Sequence, residues 1–72
     1  MDIFLYNIAK YPKELQEWVS NKENLAIAGT VSSYAASAPG EFIAETFAKL
    51  ISGHPLTDDV MNLYKQLGGI LP

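Results

Sequence analysis

Pro39-Gly40-Glu41-Phe42-Ile43-Ala44-Glu45-Thr46-Phe47-Ala48-Lys49-Leu50-Ile51-Ser52-Gly53 is the stretch that decides the fold. Proline suits the first position of a helix, where its missing N–H would be unpaired anyway and its φ is already helical. Ala38 is therefore the expected N-cap, and Glu41 falls in the first turn. Ile43, Phe47, Leu50 and Ile51 follow at i, i+4, i+7 and i+8, which predicts a core-facing stripe. Glu41, Glu45 and Lys49 step by four along a face roughly opposite. Gly53 and Pro55 end the helix, as a glycine just past a C-terminus and a nearby proline usually do.

Reading outward gives an all-α chain, a small single domain of three to four short helices, with firm ones near 12–21, 39–52 and 57–67. Pro12 starts the first of these, with Leu15, Trp18 and Val19 inward and Glu14, Glu17 and Lys22 outward. Thr57 is a strong N-cap ahead of Asp58 and Asp59, acids placed where the helix dipole favours them. That helix runs to about Leu67, with Val60, Leu63, Tyr64 and Leu67 inward, and Gly68-Gly69 stops it in a left-handed cap. Residues 2–10 carry a weaker pattern that favours a helix with Asp2 as cap but also suits a short strand, broken at Tyr11-Pro12. Residues 25–31 are the least helical part: Ile27, Gly29 and Val31 suit an extended segment, and 31–38 reads as irregular.

Composition bounds the rest. The chain has 72 residues, so it is one small domain or part of one. It has no cysteine, hence neither a disulfide staple nor a thiolate metal site, which favours a cytoplasmic origin. Net charge is −3, with five lysines and no arginine. Nucleic-acid binders show basic stripes, so direct DNA or RNA binding is not expected. No apolar run approaches the roughly 20 residues of a membrane span, and the N-terminus lacks the basic start of a secretory signal. Met1 followed by a plausible helix cap reads as a native start. The apolar fraction of 49% is high for so short a chain, and a body this small buries only about 60% of its unfolded surface. Trp18, Phe42, Phe47, Tyr64, Ile70 and Leu71 are therefore expected to include the anchors of an interface.

The place where chemistry would sit is Val31-Ser32-Ser33-Tyr34 through Phe47. Tyr34 precedes Glu41 by seven residues, and Glu41 and Glu45 share a helix face. Zinc hydrolases use these two residue types, a carboxylate on the metal and a phenol hydroxyl at the oxyanion. Each residue also has an ordinary structural explanation. An acid in a first turn gains about 0.3–1 kcal/mol from the macrodipole, and Glu45 with Lys49 makes an i,i+4 pair worth about 0.2–0.5 kcal/mol. Tyr34 can be a buried ring with its hydroxyl on backbone. His54, the sole histidine, lies in a loop about 20 Å of helix length beyond Glu41. It reads as a solvated residue or a partner of the helix C-terminus rather than a zinc ligand.

Tyr34, Glu41, Phe42, Ala44, Glu45 and Phe47, at these spacings, resemble the C-terminal signature of zincin metallopeptidases related to anthrax lethal factor. That pattern is close to Tyr, six residues, then Glu-Phe-Phe-Ala-Glu-x-Phe. The wording around it (Val-Ser-x-Tyr-Ala-Ala-x-x-Pro-x-Glu-Phe, then Asp-Asp-Val-Met-x-Leu-Tyr-Lys and Gly-Gly) is similar to the end of some phage head-morphogenesis or minor head proteins. The resemblance covers residues 31–69, about half the chain; residues 1–30 form an N-terminal helical segment of unknown type ahead of a metallopeptidase-tail-like module at 31–72. It implies a zinc-ligand role for Glu41, an oxyanion or leaving-group role for Tyr34, and a supporting place for Glu45. Two departures stand against catalysis. The HExxH half of a zincin is missing, since none of the 40 residues before Glu41 is a histidine, and the cap before the proline is alanine.

Three functional expectations follow. The first is a small phage virion structural or assembly protein, non-catalytic on its own, packed against other head or connector proteins or copies of itself. It would be found in the virion, and in the host cytoplasm during assembly. The second is the C-terminal lobe of a zinc metallopeptidase whose HExxH is supplied elsewhere. The third is an unrelated helical interaction module. No cofactor is expected for the isolated chain, and zinc only where a partner brings the HExxH.

Overall fold

A computed structural model describes residues 13–72. Among the described residues four α-helices follow one another: α1 at Lys13–Ser20, α2 at Lys22–Val31, α3 at Pro39–Ile51 and α4 at Asp58–Gln66, with a 3-10 turn at Ala35–Ser37 between α2 and α3. The described chain is all-α, and no helix among the described residues is long and apolar enough to cross a membrane. The helix expected at 2–10 lies outside the described residues.

One core joins the four described helices: Trp18 from α1, Ala28 and Val31 from α2, Phe42 from α3, and Val60, Leu63 and Tyr64 from α4, with Ala35 from the 3-10 turn. Described residues before and after position 31 thus contribute to a single interior. Trp18 is its hinge. Its ring meets Phe42 at 6.0 Å between centroids, tilted by 42°, a spacing within the range where aromatic pairs attract. Its indole N–H donates to the Ala36 carbonyl at 3.0 Å, which gives the buried polar tip a partner.

The segment 25–31 is helical, not extended. Asn21 decides it: its backbone is extended, and its side chain accepts from the Asn24 N–H at 3.0 Å, an N-cap that starts α2 one residue after α1 ends. Past that cap, Lys22, Glu23 and Ala26 are helix formers. Ala28 and Val31 turn inward while Gly29 and Thr30 face solvent. The weak β-like alternation of Ile27, Gly29 and Val31 loses to the cap.

The face of α3 is also rotated from the expected stripe. Phe42 and Thr46 are its fully buried residues; Ile43, Phe47 and Leu50 flank them half-buried, and Ile51 is 63% exposed. Threonine at 46 broke the apolar pattern and shifted the reading by about one position, because a buried hydroxyl is not visible as hydrophobic spacing. Ala38 has extended backbone and caps α3 without any side-chain bond.

Both long helices at the C-terminal half stop in Schellman motifs. After α3, the Gly53 N–H bonds to the Leu50 carbonyl and the His54 N–H to Lys49. After α4, Gly68 bonds to Lys65 and Gly69 to Tyr64. The two turn glycines have φ of 76° and 85°, a region that other residues enter at a cost. At the other end of α4, Thr57 caps as expected, its hydroxyl accepting from the Val60 N–H.

Candidate functional site: the Tyr34 turn and the start of α3

The segment from Ser32 to Glu45 is held as a unit by a short relay. The Ser32 hydroxyl accepts from the Ala35 N–H at 3.0 Å and donates to Glu45 Oε1 at 3.2 Å. One side chain therefore fixes the 3-10 turn and ties it to the second turn of α3. Ser37 closes the turn from the other side, its hydroxyl and its N–H both donating to the Tyr34 carbonyl. Trp18 adds the third tie through Ala36.

This relay changes the reading of Glu45. Sequence spacing paired it with Lys49; in the structure its partner is Ser32, thirteen residues earlier in the chain. The serine carried no signal as a capping residue because the helix it follows was not expected. A serine whose hydroxyl can reach the N–H three residues on is a recognisable turn device once that helix end is known.

Tyr34 is not the buried ring that single-residue logic favours. It is 67% exposed. Glu41 is exposed as well, in the first turn of α3. Both side chains face solvent. Among the described residues there is no group of three or more His, Asp or Glu side chains placed to hold a metal ion. His54 sits past the far end of α3, about 20 Å along the helix from Glu41 at 1.5 Å per residue. A zinc ion with three protein ligands does not fit these residues alone.

The expected interface anchors divide sharply. Trp18, Phe42 and Tyr64 are buried in the chain's own core, at 4%, 0% and 1% exposure. Phe47 is half-buried, and Ile70 and Leu71 are exposed. So small a body does hide those three rings, because residues from every described helix and from the 3-10 turn close into one core around them. Beside them lie two grooves that sequence reading did not anticipate, of about 530 and 320 Å³, which meet at Gly40 and Ile43. No family model matches the chain, and neither a curated protein nor a solved structure matches it.

Proposed function

We propose that this chain is a small assembly protein of a phage particle, packing against other head or connector proteins, in which the metallopeptidase-like tail serves as scaffold rather than catalyst. The observation that carries this reading is the use the fold makes of the motif. Phe42 fills the core, Glu45 anchors the Tyr34 turn through Ser32, and Thr46 is buried. These residues hold α3 against its neighbours, which is what a packing module requires. The exposed Ile70 and Leu71, together with Ile51, supply apolar surface of the kind that meets other proteins.

The test is the fate of the protein in infected cells. Particles purified on a density gradient are expected to contain the chain in fixed proportion to the major head protein. A chain that stays entirely in the unassembled fraction, as a monomer, overturns the reading.

A second reading has one specific observation in its favour: Tyr34 and Glu41 are both solvent-facing, so a partner could reach them. In it, the chain is the C-terminal lobe of a zincin, and another polypeptide brings the HExxH helix. A reading frame encoding HExxH beside this one, whose product binds this chain in a zinc-dependent manner, would support it.

A further inference from the structure

We propose that the two grooves meeting at Gly40 form one docking surface for a basic, apolar segment of a partner protein, an inference that rests on the assembly reading and names the chemistry of its contact. The surface a partner would touch is mostly apolar. Half-buried Pro39, Ile43 and Leu67 line the larger groove beside Asn21 and Asn24, and Ile43, Phe47 and exposed Ile70 the smaller. Only the edges of buried Trp18 and Tyr64 reach them. Together they offer about 850 Å³ (530 from one and 320 from the other), room for a few large side chains. The charged side chains lining the grooves, among the described residues, are Glu14 and Glu17, both on the wall formed by α1. An apolar floor under an acidic wall selects large apolar side chains accompanied by lysine or arginine.

Gly40 is the second observation. It stands in the first turn of α3 with ordinary φ, and a Cβ built there meets nothing within 4 Å. Neither packing nor backbone conformation therefore requires glycine at this position, as is also true of Gly29, but Gly40 is the one of the two that lines the grooves. What the missing side chain does is keep the floor open where the two grooves join. A side chain at 40 would rise into the space the partner occupies while leaving the core alone.

That separation gives the experiment. Two synthetic helical peptides carry the same leucine and phenylalanine anchors, one flanked by lysines and one by glutamates, and neither contains tryptophan. Because Trp18 is nearly buried where it lines the groove, occupancy of the full-length protein is read by titration calorimetry, with the fluorescence of this sole tryptophan as a second signal. The expected result is saturable binding of the lysine peptide, weakened by added salt, with the glutamate peptide weaker by about tenfold or more. Gly40→Gln is expected to abolish that binding while its melting temperature stays at or above the wild-type value. Gly29→Ala, on the solvent face of α2 and remote from the grooves, is expected to bind as the wild type does.

Equal binding of both peptides overturns the proposal, as does full binding by Gly40→Gln. So does failure of the lysine peptide to bind, whether sedimentation shows a second copy covering the surface or the chain's own residues 1–12 fill it. Those outcomes leave the particle measurement standing: a chain found in particles that binds no basic segment loses this inference alone. A chain absent from particles overturns the assembly reading whatever the peptides do.

Discussion

The ring of Tyr64 lies so close beneath Gly69 that a methyl group on that glycine would sit 2.4 Å from the ring carbons. The same tyrosine donates its hydroxyl proton to the Ile70 carbonyl. The C-terminal tail is thus folded back over α4, with Gly69 as the point of closest approach and Tyr64 as the clasp. Gly69→Ala should therefore cost about 1–3 kcal/mol, the usual range for forcing extra volume into a packed site. Gly29→Ala should do the opposite, because Gly29 lies exposed within α2 with open space around it; its gain should be about 1 kcal/mol from helix propensity. Urea unfolding followed by circular dichroism separates the two, and a neutral Gly69→Ala would contradict the clasp.

The clasp also bears on how the tail is probed. Removing residues 70–72 takes away the acceptor of a buried hydroxyl, so loss of assembly after truncation would mix stability with contact. Ile70→Ser combined with Leu71→Ser leaves the backbone carbonyl in place and removes apolar surface that is mostly exposed. That double variant should unfold at nearly the wild-type denaturant concentration. Tyr64→Phe, which keeps the ring and loses the bond, should lower stability by about 1 kcal/mol.

Thr46 is the anomaly in the core. It is fully buried, and its hydroxyl finds no hydrogen-bond partner among the described residues. A buried hydroxyl without a partner costs about 1–3 kcal/mol relative to one left in water. Thr46→Val replaces it with a methyl group of similar shape, and the variant should be more stable by about 1 kcal/mol. A clear loss of stability would show that the hydroxyl is satisfied in solution.

Ser32 and Glu45 should prove coupled. Ser32→Ala removes both the turn cap on Ala35 and the bond to Glu45, whereas Glu45→Ala removes only the second. The serine substitution should cost about 1 kcal/mol, in the range of a lost cap, and the glutamate substitution less. In a double-mutant cycle the losses should fall short of additive, as expected for residues in one network. Strict additivity would mean that the bond contributes nothing.

Much of the architecture was legible because the chain marks its helices with local chemistry. Pro39, Thr57, Gly53 and Gly68 each act through their own backbone or side chain, so their effects appear in sequence at the right position. What stayed hidden depended on residues distant in sequence. α2 is hidden in the sequence because its start rests on Asn21, which the spacing of Leu15, Trp18 and Val19 assigns to the preceding helix, and because Gly29 and its β-branched neighbours favour extension. The depth of Phe42 and Tyr64 depends on what other elements bring against them, Trp18 onto Phe42 among them, which spacing within one helix does not reveal. At the site, the positions of Tyr34 and Glu41 on their elements were readable. Their exposure, and the hold of Ser32 on Glu45, required the fold.

The central claim is that the segment from Tyr34 to Glu45 works as a packing device in this chain and holds no metal by itself. Thermal unfolding of the purified full-length protein, with and without zinc, tests it most directly, since a metal that binds the folded state must raise the melting temperature. The account expects the same melting temperature in zinc as in chelator, the same again for Glu41→Gln, and a lower one for Ser32→Ala under both conditions. A rise in zinc that disappears in Glu41→Gln would contradict it.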